Sequence, residues 1–264
     1  MKTYHPNGLL FIEVELVDDK YHGPFAQYYN NGAKEIECTY VHGKKQGVCK
    51  LFYPNGVLQQ LITYKDNKLD GIYQEWNTSG QLLSTKYHQD DKLHGLYIVY
   101  DEESGKEKLV ASYKEGLLHG TFISCEKGQK TSATTFIEGK KNGLSITYHS
   151  NGNICSKTCY IDDVSTYIET FYEDGQKETY GKMNNGILHG EFKKWRPDGT
   201  LAFTSVFVDG LKHGPCKLYD QDGNITYNQM FVNDEEQKVS IVQRICNGFE
   251  RVQIRMIEII LRWF

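Results

Sequence analysis

Five histidines, His22, His94, His119, His189 and His213, each stand one residue before a glycine. Imidazoles recurring in one sequence context could line a ladder of metal sites. Zinc, however, needs its ligands about 2 Å from one ion. If the histidines occupy equivalent positions two strands apart in a sheet, about 9–10 Å separates one from the next. Histidines capping backbone groups in turns fit that spacing better. Cys155 and Cys159 are the closest pair among seven cysteines, and a C-x-x-x-C without a second ligand pair is a weak zinc signal. Asp90-Asp91 and Asp162-Asp163 offer paired carboxylates, but both pairs lie between polar turn residues and read as solvated loops. There is no G-x-S-x-G, P-loop, H-E-x-x-H or dinucleotide fingerprint after a strand. The expectation is a protein without catalytic residues, metal or cofactor, and not an enzyme.

The elements that must position these residues are best read from Gly47 to Gly71. An apolar and aromatic run leads to Pro54-Asn55-Gly56, a second run closes on Tyr64, and a polar turn leads to Gly71. Asn-Gly between two such runs signals a two-residue hairpin turn with positive φ. The same turn glycine recurs at Gly8, Gly32, Gly56, Gly80, Gly105, Gly128, Gly152, Gly175, Gly199 and Gly223, in steps of 23 to 25 residues. A second glycine stands nine residues before most of them, at Gly23, Gly47, Gly71, Gly95, Gly120, Gly143, Gly190 and Gly214, with Thr166 in the place of one. A fixed period of this length marks a repeat array. Gly105 arrives one residue late and Gly128 one early, which predicts a bulge and a tightened loop.

Counting across a two-residue turn pairs Gly47 with Tyr64, Gly23 with Tyr40 and Gly190 with Phe207, and predicts an aromatic ring covering each bare glycine. Five residues after the second glycines a further column reads Tyr28, Phe52, Trp76, Tyr100, Cys125, Tyr148, Phe171, Trp195 and Tyr219. Gly47, Tyr64, Gly71, Trp76, Gly95, Tyr100, Gly190, Trp195, Gly214 and Tyr219 are therefore the structural residues of the repeat. Side chains two and five places after a glycine, such as Tyr73 and Trp76, point to opposite faces of a flat strand. Either each repeat holds a bulge or both faces are partly apolar. Exposure of that kind argues for a binding surface.

The pattern Gly-x-Tyr/Phe-x-x-Tyr/Trp, then Asn/Asp-Gly, an aromatic, and Asn/Asp-Gly-Lys-x-His-Gly resembles the MORN repeat, and the long spacing is similar to its antitoxin-type variant. Asp-Gly-Leu-Lys-His-Gly at 209–214, Glu-Gly-Leu-Leu-His-Gly at 115–120 and Asn-Gly-Ile-Leu-His-Gly at 185–190 carry the resemblance. It covers about residues 1 to 232. It implies an all-β, elongated single-layer array of about ten stacked antiparallel hairpins. Functions it implies are protein binding, neutralisation of one toxic partner, or association with membranes.

Composition agrees. Nineteen tyrosines and 25 glycines with five prolines suit sheets with tight turns. A net charge of −4 without a basic stripe argues against nucleic acid. The chain starts on a hairpin and shows no secretory leader, so the expected compartment is the cytoplasm. Scattered cysteines, odd in number, are expected to serve as small hydrophobes.

After Val232 the pattern changes. Asn233-Asp234-Glu235-Glu236 reads as a helix start, and residues 233–264 as a helical cap or interaction segment on the array of residues 1–232. Ile257, Ile260, Trp263 and Phe264 are its candidate interaction residues, in a stretch too short and too charged to span a bilayer. The sequence thus predicts a non-enzymatic scaffold or adaptor for a protein partner. An antitoxin-like or immunity protein is the alternative and a membrane-associated protein the third reading, with homo-oligomers left open.

Overall fold

In a computed structural model, residues Met1 to Gln237 are described. Among them are 22 β-strands and no helix, and every described strand pairing is antiparallel. The chain divides into two compact units, Met1–Val164 and the chain from Ser165 onward. Thr166, which replaces the repeated glycine, lies next to that division and takes no positive φ.

Within the first unit, Gly47–Phe52 pairs with Leu58–Lys65, which in turn pairs with Lys68–Trp76. The expected partners are observed: Gly47 opposite Tyr64 and Gly23 opposite Tyr40. The turn that joins them is not the expected one. Gly56 N–H donates to the Tyr53 carbonyl at 2.8 Å and Tyr53 N–H to the Val57 carbonyl at 2.8 Å, and Gly56 has φ +84°. Asn55 has no positive φ. This is a three-residue loop, a type I turn closed by a left-handed glycine. A register shift between Leu51 and Phe52 adds one bulged residue. The longer loop and the bulge offset each other, so the register beyond them equals that of a two-residue turn.

The two-residue turns lie between hairpins. Asp66 and Asn67 have φ +52° and +70°, and Asp90 and Asp91 have +48° and +67°. Asn and Asp tolerate this region because their short side chains bond locally. Asp91 Oδ1 accepts the Leu69 N–H at 2.8 Å, and Asp91 N–H donates to the Leu69 carbonyl at 2.9 Å. Asp163 holds Lys141 in the same two ways. The paired acids are thus clamps on the preceding repeat. The histidines act beside them: His22 Nδ1 accepts the His42 N–H at 3.4 Å, and Gln46 Oε1 does the same for Asp66 at 2.8 Å.

At the other end of the strands a second ladder ties neighbouring repeats. Tyr29 Oη donates to the Phe52 carbonyl at 2.7 Å and Tyr53 Oη to the Trp76 carbonyl at 2.9 Å. Asn31 Nδ2 reaches the Pro54 carbonyl and Asn55 Nδ2 the Thr78 carbonyl. The loop ending at Gly105 is one residue longer, with Asp101 N–H bonded to the Lys106 carbonyl, while Lys127-Gly128 is a tight two-residue turn. A longer loop therefore absorbs the residue for which a bulge was expected.

The repeated glycines serve a different purpose from the one expected. A Cβ built on Gly47 would meet nothing within 4 Å, so no ring fills the place of its missing side chain. Instead Ile62 faces Tyr73 while Tyr64 faces Leu69, which leaves Asp70, Gly71 and Ile72 opposite Thr63 as a bulge. Gly71 sits in it at φ +122°, and an added Cβ would lie 3.0 Å from Thr63 Cβ.

The second unit repeats the arrangement. Gly190 faces Phe207, as expected, and Gly214 faces Phe231. The helix start expected at Asn233 is instead another two-residue turn, with Asn233 and Asp234 at φ +51° and +66°. Asp234 Oδ1 accepts the Lys212 N–H at 2.8 Å, and Glu235–Gln237 pairs with the preceding strand. The capping residues of a helix and the turn residues of this hairpin are the same types, and here the clamp on Lys212 decides between them. Ile257, Ile260, Trp263 and Phe264 lie outside the described residues.

Gly71→Ala should cost about 1–3 kcal/mol, from positive φ and the Thr63 contact together. Gly47→Ala, strained in φ but open, should cost less, and Lys65→Ala close to nothing. Urea unfolding of the three variants tests this, and equal costs for Gly71→Ala and Gly47→Ala would show that the bulge contact does not matter.

Candidate interaction face

Register and alternation give the first unit two distinct faces. On one, the middle residues of successive strands stand opposite one another. Val14 faces Phe25, Phe25 faces Cys38, Cys49 faces Ile62, and Ile62 faces Tyr73. Most of these are nearly inaccessible, and Tyr21, Tyr40 and Tyr64 pack against their margin. This is the core face. Cys38 and Cys49 adjoin in it, their Cα atoms 4.3 Å apart, and are joined as a disulfide where only small hydrophobes were expected.

One position breaks the row. Where the column through Val14, Cys38 and Ile62 continues, the residue is Lys86, which faces Tyr73 on one side and Tyr97 on the other. Its ammonium lies 4.8 Å from the Tyr73 ring centre and 5.6 Å from that of Tyr97. Glu75 pairs with it at 3.0 Å, and the two side chains are 25% and 30% exposed. The carboxylate also accepts from Ser84 Oγ at 2.8 Å, Tyr73 Oη at 3.1 Å and Gln60 Nε2 at 3.4 Å.

The electrostatics follow from this crowding. Burial alone would push Glu75 up, but hydrogen bonds from Lys86 and Ser84 and the ammonium charge outweigh it and hold the carboxyl below its ordinary value. Burial and the adjacent carboxylate push the Tyr73 phenol up to about 12. Burial, then the Lys86 charge, push the His88 imidazole down. At neutral pH the Glu75 carboxylate is therefore charged, and the Tyr73 phenol and His88 imidazole beside it are neutral. Among the described residues no group of three His, Cys, Asp or Glu side chains is placed to hold a metal ion.

Trp76 and Tyr100 sit half-buried on the reverse face, five places after their glycines, as do Trp195 and Tyr219 in the second unit. Both alternatives posed by the sequence hold together: the repeats on either side of Gly71 are bulged and both faces carry apolar side chains. The glycines Gly47, Gly71, Gly95, Gly190 and Gly214 all have positive φ and belong to the frame. The Glu75–Lys86 pair was not foreseen. Its signal in the sequence is a lysine 24 residues after Ile62, in a column otherwise apolar to that point.

Models of the MORN repeat variant match residues 45–66 and 141–162, and one of the MORN repeat matches 203–225. The chain carries MORN repeats. The first matched MORN repeat contains the Pro54-Asn55-Gly56 loop, and the second begins at Lys141, which Asp163 clamps from just beyond its end. No curated protein matches the sequence. A chain in "Crystal Structure of TcdB2-TccC3-Cdc42" is similar at 11% identity over 87% of this chain and 15% of that one, with a TM-score of 0.20, too slight to bear on fold or function. No helix among the described residues is long and apolar enough to cross a membrane.

Glu75→Ala should destabilise by about 1–2 kcal/mol at neutral pH by leaving the Lys86 ammonium half-buried without its partner. Lys86→Met should cost less, since an apolar side chain continues the row. Because the folded pKa of Glu75 is lowered, its contribution is present above the ordinary carboxylate value and is lost as pH falls through the lowered one. The stability gap between wild type and Glu75→Ala should close with acid. Urea titrations at stepped pH check both statements, and a gap independent of pH would contradict the pairing.

Proposed function

We propose that this MORN-repeat chain is a non-enzymatic binding scaffold that takes a protein partner on the core face of its first unit. The observation that supports it is the half-buried run Tyr73, Lys86, Tyr97, with Tyr113 packed against Tyr97 at 6.3 Å. Tyrosines that keep a polar tip in reach of solvent are among the side chains that dominate protein interfaces, and a charge pair in register with them adds specificity. Among the described residues no second layer of sheet or helix covers these rings. A partner would lay apolar side chains among the tyrosines and present polar groups to Glu75 and Lys86.

A single tightly held partner would make the protein antitoxin-like, a reading supported by the resemblance to the variant repeat; a membrane surface is the third. Affinity capture from the native cell with wild type, Tyr97→Asp and Leu144→Lys separates these. Tyr97→Asp should weaken partner binding by tenfold or more, about 1.4 kcal/mol, while Leu144→Lys on the reverse face leaves it unchanged. One stoichiometric partner favours the neutraliser, many favour the scaffold, and co-sedimentation with liposomes favours a membrane role. Full retention of every partner by Tyr97→Asp would remove the core-face reading.

A further inference from the structure

The first two-residue turn carries the same groups with which the later ones clamp a preceding strand. Lys2–Tyr4 runs beside Leu10–Val17 only as far as Glu13, and next to it Val14 N–H donates to the Met1 carbonyl at 3.0 Å. Backbone groups two residues apart on a strand point the same way. The N–H and carbonyl of Leu16 therefore face outward past Met1, while Val17 closes the turn on Lys20. Asp18 and Asp19, at φ +51° and +59°, complete this edge. Among the described residues no strand pairs with Leu16 on that side, and its side chain is 43% exposed.

Later turns show what such an edge holds. Asn67 Oδ1 accepts the Lys45 N–H at 2.6 Å, and Asn67 N–H donates to the Lys45 carbonyl at 3.0 Å. Asp91 holds Leu69, Asp163 holds Lys141 and Asp234 holds Lys212 in the same two ways. One residue earlier in the turn, Asp66 N–H donates to Gln46 Oε1 and Asp209 N–H to His189 Nδ1. Carboxylates at that place pair with lysines: Asp66 with Lys44 at 3.8 Å, Asp90 with Lys68 at 3.0 Å and Glu115 with Lys92 at 3.1 Å. The residue equivalent to Leu16 meets a glycine, as Tyr40 meets Gly23 and Tyr64 meets Gly47. The segment gripped in this way reads lysine, a variable residue, histidine or glutamine, and glycine. Lys45 at the variable place lies over the Tyr64 ring at 4.9 Å, and against the aliphatic Leu16 a leucine fits there, as in Lys92-Leu93-His94-Gly95.

We propose that the edge formed by Leu16, Asp18 and Asp19 captures an extended Lys-Leu-His-Gly or Lys-Leu-Gln-Gly segment of a partner protein, added antiparallel to Leu10–Val17. Asp19 grips the N–H and carbonyl of the leucine. The Asp18 N–H meets the His or Gln side chain, its carboxylate meets the lysine, and Leu16 meets the glycine backbone. A second copy of this chain fits less well. Its Glu235 closes a turn on Val232 as Lys44 does on Val41, so the edge at Glu235–Gln237 has the matching backbone but sets a carboxylate against Asp18. The edge shares no residue with the run Tyr73, Lys86 and Tyr97, so capture here does not rest on partner binding to the core face.

The probe is the peptide acetyl-Lys-Leu-His-Gly-Leu-amide, titrated to about 5 mM into the isotopically labelled full chain, a range that covers a Kd of about 1 mM. Amide shifts should saturate and lie within residues 15–20. The same peptide with Glu in place of Lys should bind about fivefold more weakly, and Asp18→Asn should remove that preference. Asp19→Gly keeps the positive φ, as Gly43 does in the next turn, and should weaken the lysine peptide about tenfold through loss of the carboxylate acceptor. Shifts that do not saturate or that centre on Glu235–Gln237 overturn the proposal, as does equal binding of the two peptides, a preference that survives Asp18→Asn, or an Asp19→Gly variant that binds like wild type. Self-association of the wild type that Asp19→Gly abolishes overturns it too, by giving the edge to a second copy.

Discussion

Register is the constraint on which the rest of this structure depends. A strand alternates its side chains between two faces, so a slip of one residue would exchange the row through Val14, Phe25 and Cys38 with the row through Ala26 and Glu37. A repeat such as that from Gly47 to Gly71 crosses two turns and two bulges before it returns to the same place, and their residue counts must sum to the same register. At the tip the three-residue loop and the bulge before Phe52 cancel. At the other end the two-residue turn fixes the count, and the bulge at Gly71 shifts the strand so that Tyr73 meets Ile62. The glycine is needed because its φ of +122° is a conformation that side chains rarely adopt.

The turns also hold the repeats to one another, which explains their residue types better than solvation does. A strand leaving a bulge has N–H and carbonyl groups that its neighbour's ladder no longer meets, and a backbone group left unpaired is costly when shielded from water. At Leu69 and Lys141 an aspartate from the next turn supplies both partners, one from its side chain and one from its own N–H. Where that position is glycine, as at Gly116 and Gly139, the backbone N–H alone reaches back, to Leu93 and Leu118. The tyrosines at the tips complete the opposite end. The acids Asp91 and Asp163, and the histidines His22, His189 and His213, which resemble catalytic or metal-binding sets in the sequence, are engaged in these turns.

The fold was legible because its signal is repeated. Gly47 and Tyr64 are opposite each other as counting predicts, even though the turn between them was misread, since a loop one residue longer with one bulged residue leaves the count unchanged. The glycine's purpose was not legible: an aromatic across the strand and a bulge both call for glycine, and only the backbone angle tells them apart. The supposed helix start at Asn233 failed for a related reason, because Asn-Asp-Glu-Glu suits an N-cap and a two-residue turn alike. The Glu75–Lys86 pair was hidden for the opposite reason. A repeat is read from what its columns share, whereas this pair lies where one column departs from the rest.

That departure shows how one frame can carry two different surfaces. The clamps and bulges involve strand ends and leave the middle of each strand free to vary, provided one face buries enough apolar area. Through Ile62 and Tyr73 the core face meets that need and the reverse face beside it carries polar side chains such as Gln74. Toward Thr134 and Ser145 the core face turns hydroxylic, and the aliphatic side chains of the same strands, Ala133 and Ile146, stand on the reverse. Hydroxyls paired across strands satisfy one another and contribute little burial, so over these strands the core face keeps Phe122 and Phe136 while further apolar side chains stand on the reverse. Sequence changes confined to strand middles can therefore alter the polarity of either face without disturbing register.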